Sequence, residues 1–379
     1  MYHKKEWMVK MSFTIEFFII AAIFGFLYGF LLQKADFCFV ASIRDWMIVK
    51  DTRILHGVLV LIAVSLIGWG VLLAAGVRGV ADVWTVPIGG MNLVGGILFG
   101  IGMTIAGGCG SGTLYRCGMG YVQFWIVLFF AMVGNLLFAV VYDPWARDYF
   151  IEPLTVSDTG YTFYSLPISP LVIPVIIVAI MIALSIKKYG AKTFFTGFKE
   201  TFTSWSKNPL KQSHWDIRLV SFLIGIIAIV QFAVLSNVGI TGPQTRIAAV
   251  GVAQIFGEST VLNNVYLNGL FAEFPKVGIG PEETLIIFLV IGAFTASLLS
   301  NSFKIRWPKK SRLPHAIAGG LLMGIASRIA PGCNIANVIT GVGGLSVSSF
   351  IVIIGMIIGI YIVLKWIFKM PMLLFYRES

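Results

Sequence analysis

The chain has 379 residues, of which 58% are apolar and only 12% charged, against about 25% charged in soluble domains. That excludes a soluble globular protein, because such a composition packed in water would leave large apolar patches exposed. The net charge of +11 does not point to nucleic acid as a partner, since the basic residues fall in short segments between apolar runs, where they orient a membrane protein.

Stretches free of charged residues recur at 54–77, 83–115, 117–142, 219–245 and 329–364. They are continuously apolar, whereas a β-barrel would alternate over about ten residues. The expected fold is an all-α polytopic membrane protein with about nine transmembrane helices. In chain order these fall near 13–33, 55–76, 93–115 (interrupted), 121–142, 167–186, 219–236, 284–301, 315–341 (interrupted) and 347–367. The first run is too long for a signal-peptide core and lacks a small-x-small cleavage site, so it is expected to stay as a helix. Forty-one glycines point to close helix packing and broken helices.

Loop charge sets direction. Residues 187–218 carry seven Lys/Arg and two acids, and 303–312 carry five Lys/Arg and no acid. Segment 143–165 has one Arg against four acids, and 237–283 has two basic residues against four acids. The first two are expected in the cytoplasm and the last two outside. Nine crossings then put the N-terminus outside and the C-terminus, with Lys365, Lys369 and Arg377, in the cytoplasm. Lys4, Lys5 and Lys10 run against that placement. The basic 187–218 segment reads as an orientation signal, with partner docking as the alternative.

A shift of 224 places Gly95–Cys109 on Gly319–Cys333, with nine of fifteen positions identical. Each copy falls in a set of four spans, giving one integral membrane domain in three parts: a first repeat at 1–166, a linking span and loop at 167–218, and a second repeat at 219–379. Five crossings separate the equivalent helices, so the halves are expected to be inverted relative to each other, as in many transporters. In each copy a helix of about 14 residues, near 21 Å long, is too short for a core of about 30 Å. It is expected to stop inside the membrane and to turn at Gly107-Gly108-Cys109-Gly110-Ser111-Gly112 in one half and at Pro331-Gly332-Cys333-Asn334 in the other. Cys109 and Cys333 would then lie along one axis.

Such a break leaves unpaired N–H groups at the start of the following half-helix, beside its positive dipole end, which suits an anion. Ser111 and Thr113 are expected either to cap that helix or to offer hydroxyls to a ligand. Arg116 and Arg328 are isolated cations in apolar segments, which marks a pathway or a buried pair. With few intramembrane acids nearby, they argue for a negative substrate. Thiols are weak, polarizable donors suited to a soft sulfur acceptor, and the symmetric placement of Cys109 and Cys333 is not needed for packing. Cys117 reads as packing, because its counterpart near Gly341 is not a cysteine. Cys38, in a polar and aromatic segment from Gln33 to Phe39 with Arg44 six residues on, fits either role by itself. No CxxC occurs and His3, His56, His214 and His315 show no ligand spacing, so no metal site or cofactor is expected. No GxxxxGK[ST] motif appears for nucleotide coupling.

The Gln33…Phe37-Cys38 segment with Arg44, the run from Gly108 to Gly118, and Gly332-Cys333-Asn334 together resemble the YeeE/YedE family of membrane proteins, whose characterised members take up thiosulfate. The resemblance covers nearly all spans. It implies an hourglass-shaped fold with short re-entrant helices in the inner (cytoplasmic) membrane. It further implies a relay in which thiosulfate passes between Cys38, Cys109 and Cys333 through S–H···S contacts, and a small cytosolic sulfur-carrier protein that receives the product. The long 143–165 and 187–218 segments depart from the compact members, and some YedE branches are associated with selenium metabolism. Uptake of thiosulfate or a similar sulfur anion is therefore the expected function, with a selenium species or sulfate as alternative substrates. A transporter is expected and not an enzyme. The different-class alternative is a membrane thiol oxidoreductase cycling a Cys109–Cys333 disulfide, against which stands the lack of CxxC and of any recognisable quinone or haem ligands.

Overall fold

Helix forms at each of the nine expected positions in the computed structural model, which describes residues 15–189, 210–271, 277–367 and 369. Most of the basic 187–218 segment, together with Lys4, Lys5, Lys10 and Arg377, lies outside the described residues. The first half contains α1 (Ile15–Ala35), α2 (Phe39–Val49), α3 (Arg53–Ala74), α4 (Gly90–Ala106), α5 (Gly110–Gly118) and α6 (Val122–Val141). Helix α7 (Val172–Tyr189) follows. The second half contains α8 (Ile217–Val234), α9 (Thr241–Phe256), α10 (Pro281–Leu299), α11 (Leu313–Ile329), α12 (Ala336–Gly341, wound as a π-helix) and α13 (Val347–Ile362). Among the described residues seven helical stretches are long and apolar enough to cross a membrane, with α4 and α5 together forming one of them. The chain is a multi-pass membrane protein.

Two corrections to the sequence reading concern α2 and α9, which charge and hydropathy assigned to loops. Helix α2 contains Arg44 and Asp45, and α9 contains Thr241, Gln244 and Arg246, so neither reads as a continuous apolar run. Residues Phe39, Val40, Ile43 and Met47 of α2 nevertheless face the core at helical spacing. Arg246 is likewise no loop charge, because it is bonded to Glu282 and Glu283 at the start of α10. Helices α4 and α11 have 17 residues each, about 26 Å, longer than the 14 expected but still short of a full crossing.

The same succession of long helix, half-helix, long helix, interrupted helix and long helix thus occurs twice. Its packing is reciprocal: α1 lies on α10 as α8 lies on α3, and α13 lies on α4 as α6 lies on α11. At the centre α4 and α11 run antiparallel. A methyl at Gly95 would meet Ala330 at 2.5 Å, and one at Gly319 would meet Ala106 at 2.5 Å. Because 95 and 319, like 106 and 330, are 224 apart, this is one contact made twice about a twofold. Gly96 and Gly320 repeat the pattern, since their added methyls would lie 2.5 Å from Val352 O and 2.6 Å from Val127 O. The repeated glycines are therefore the surfaces on which helix backbones touch.

The loops sort by charge onto the two ends of the bundle. Where α6 begins, the backbone of Arg306 bonds to Gly120 and Val122. Gln33 reaches Ser302 there, and Lys34 Nζ donates to the carbonyls of Leu210 and Gln212. Where α6 ends, the acidic segment carries a short strand, Thr155–Ser157, paired with Ile88–Gly89 before α4. Thr162 bonds to Gly344 at that end, and Asn264 bonds to Ala139 O.

Candidate functional site

Four half-helices point their N-termini at the middle of the molecule. Helices α2 and α5 run from there toward the end that carries the basic loops, and α9 and α12 run toward the opposite end. Each is set up by a break in the preceding chain. Asp36, at φ 47°, turns the chain out of α1, a conformation that Asp tolerates better than most residues. Gly107 and Gly332, at φ 79° and 101°, turn it out of α4 and α11, and there only glycine is unstrained.

A cysteine stands at three of the four starts. Cys38 is the N-cap residue of α2 and Cys109 that of α5, while Cys333 directly precedes the helical residues that open with Asn334. All are buried and free of disulfides. The Cys38 thiol donates to Cys109 Sγ over 3.7 Å. Beside this pair lies Gly112, where an added Cβ would come within 3.2 Å of one sulfur and 3.3 Å of the other. Cys333 is brought in by Gly110, whose Cβ position would be 3.8 Å from its Sγ and whose N–H donates to Asn334 Oδ1 at 3.2 Å. Asn337 Nδ2 donates to Cys333 O at 3.0 Å and holds that turn. Gly108 is packed under Phe124, with Arg116 Nη1 alongside.

Of the two roles expected for Ser111 and Thr113, capping of α5 is not the one adopted: neither caps it. Thr113 Oγ1 donates back to Cys109 O at 3.0 Å, and Ser111 Oγ lies 3.6 Å from Cys109 Sγ. Ser111 is thus available to the thiol, and the first-turn N–H of Gly110 is met from the other half, by Asn334 Oδ1.

The three arginines separate. Arg116 is not the unpaired cation that the sequence suggested: it lies 3.5 Å from Asp36 Oδ1, donates to Gly107 O and stacks over Tyr115 and Phe124. Tyr115 OH donates to the same Asp36 oxygen at 2.6 Å. Arg116 thereby ties the break before α2 to α5. In the other half Thr340, 224 residues on, makes the equivalent tie to Val238 with a hydroxyl. Arg328 is 7% exposed and, among the described residues, meets only Ser327 Oγ at 3.3 Å. Arg44 is not brought to the cysteines; its side chain is 45% exposed and paired with Asp45.

Sequence reasoning missed Asp36 as the partner of Arg116 and missed the start of α9 altogether. Asp36 was legible as the one acid in the Gln33–Phe39 segment. The Thr-Gly-Pro-Gln-Thr run at 241–245 follows its long helix much as Cys38 follows α1, and that placement was the available signal. Among the described residues no group of three His, Cys, Asp or Glu is placed to hold a metal. Thiols set at helix N-termini can together hold a polarizable anion.

Discontinuous helices that meet head-on at buried donors define a polytopic membrane protein of the transporter type. Residues 34–362 match the sulphur transport family, and the chain belongs to that family, the YeeE/YedE group that the cysteine motifs indicated. It is similar to the thiosulfate transporter TsuA of Escherichia coli (strain K12), with 28% identity over 351 residues, 89% of this chain and 91% of the relative. It is also similar to the thiosulfate transporter TsuA of Spirochaeta thermophila, with 30% identity over 347 residues, 88% of this chain and 94% of the relative. The probable transporter YedE of E. coli is 33% identical over a shorter stretch of 127 residues, 34% of this chain and 31% of the relative.

Proposed function

We propose that this protein takes up thiosulfate, or a closely related soft sulfur anion, through the centre of the molecule, acting as a transporter and not as an enzyme. The observation that carries the reading is the gathering of Cys38, Cys109 and Cys333 at half-helix N-termini, with Cys38 and Cys109 in direct thiol contact. An anion is attracted by the dipole ends and by Arg328, and its terminal sulfur accepts S–H bonds from one cysteine and then the next. Each such bond is weak, so the ligand is handed on without being trapped. The two halves, 1–166 and 219–379 joined by 167–218, work as inverted repeats. The basic-loop end lies in the cytoplasm and the protein sits in the cytoplasmic membrane, with the N-terminus outside. A small cytosolic sulfur-carrier protein collects the product at that end.

The test is labelled uptake of thiosulfate, sulfate and selenite in one strain that lacks other importers. Thiosulfate should be taken up most readily, and preference for sulfate or selenite would refute the substrate. Cys109→Ser and Cys333→Ser should lose most uptake, because a hydroxyl is a harder and more strongly solvated donor, while Cys117→Ser should keep it. Intact-protein mass after thiol trapping during turnover separates the relay from redox chemistry. Free, unmodified thiols are expected, and a stoichiometric disulfide or an accumulating persulfide would favour an oxidoreductase.

A further inference from the structure

Three of the four half-helix starts carry a cysteine, and the fourth, α9, does not. Its N-cap is Ile240, which supplies no side-chain cap, and its first turn begins Thr241-Gly242-Pro243-Gln244. Thr241 is 6% exposed and Gln244 5% exposed. Thr241 Oγ1 has no hydrogen-bond partner among the described residues. A buried hydroxyl left in that state is unfavourable, which fits a site whose partner is a ligand. Both side chains line a small cavity of about 20 Å³ shared with Phe99, Gly110, Thr113 and Met323, room for one water-sized group and not for a whole polyatomic anion. Gly110 borders both this cavity and the Cys333 thiol.

The start of α9 thus offers oxygen-type donors, a hydroxyl and an amide, next to the Cys333 thiol, a sulfur-type donor that the backbone N–H groups of Ile240 and Thr241 approach. Resting on the function proposed above, we infer that Thr241, Gln244 and the first turn of α9 form the oxygen-binding half of the substrate site. They hold one oxygen of the sulfonate end of a two-ended sulfur anion, a group of water size, while the cysteines hold its terminal sulfur. Such a site selects by requiring both ends. Sulfate satisfies the oxygen donors and leaves the thiols unfilled, and hydrosulfide does the reverse.

The test measures concentration-dependent thiosulfate uptake, with sulfite as a competitor, for Thr241→Val, Thr241→Ser, Gln244→Met and Cys333→Ser at matched membrane levels. Loss of one hydrogen bond to a charged group corresponds to about a tenfold change. Thr241→Val and Gln244→Met should therefore raise the KM for thiosulfate about tenfold, with the maximal rate little changed and inhibition by sulfite weakened. Thr241→Ser should restore both. Unchanged KM and unchanged sulfite inhibition in both variants, with Cys333→Ser inactive, would overturn the inference and leave the function standing. Absence of thiosulfate uptake by the unaltered protein would overturn both. If Thr241→Val does not accumulate in the membrane, the same two readings on Gln244→Met decide the matter.

Discussion

At Arg328 a guanidinium is enclosed with a serine hydroxyl as its neighbour and, among the described residues, no acid, whereas at Arg116 the charge is already balanced by Asp36. The two cations therefore should not respond alike. A lone cation in the membrane costs about 2.5–3.5 kcal/mol on insertion scales, so Arg328 is retained against that cost. Arg328→Gln should raise the KM for substrate several-fold while the protein remains folded. Arg116→Gln should act mainly on stability, read as a lower melting temperature in detergent, because it frees Asp36 and the break before α2. Equal effects on KM from both would contradict this division. Gly112 gives a sharper test of the thiol pair. Its methyl would press on both sulfurs at 3.2 and 3.3 Å, tighter than ordinary contact yet in a helical backbone that accepts alanine. Gly112→Ala should therefore keep the fold and lower uptake strongly by parting Cys38 from Cys109. Normal uptake by a normally expressed Gly112→Ala would mean that the contact is incidental.

Among the helices, the glycine surfaces carry the repeat. Gly96→Ala and Gly320→Ala each force a methyl to about 2.5 Å from a carbonyl on the neighbouring helix, and overpacking of this kind costs about 1–3 kcal/mol. Because the two contacts are equivalent, the variants should lower thermal stability by similar amounts, which paired melting curves can check. The long helices were legible because a membrane-crossing segment announces itself as an uninterrupted apolar run, and the Gly-Cys repeat located both interruptions. What stayed hidden were α2 and α9. A half-helix inside protein need not be apolar throughout, so Arg44, Asp45, Thr241, Gln244 and Arg246 lowered their hydropathy below that of a span. The same blindness placed Arg44 beside the cysteines by proximity in sequence, although α2 turns it outward. Cys109 and Cys333 were found because symmetry pointed to them. Asp36 acts through Tyr115 and Arg116, distant in the chain, and no spacing rule reports that.

For the molecule as a whole, the charge on its loops and the course of its helices agree. Gln33, Leu210, Gln212 and Arg306 lie at one end of the bundle, and the Thr155–Ser157 strand lies at the other. With the basic end in the cytoplasm, an impermeant thiol reagent applied to whole cells should label a cysteine introduced at Ser157 and not one at Ser206. The reverse pattern would invert the assigned orientation. The four converging half-helices also set a valence. Each helix N-terminus carries up to about half a positive charge, so together they approach two. Under the function proposed above, that total matches a dianion held beside the Cys38, Cys109 and Cys333 thiols. A monoanion would leave the centre underfilled, and a second dianion would be repelled. On that proposed reading the carrier holds one doubly charged ion at a time.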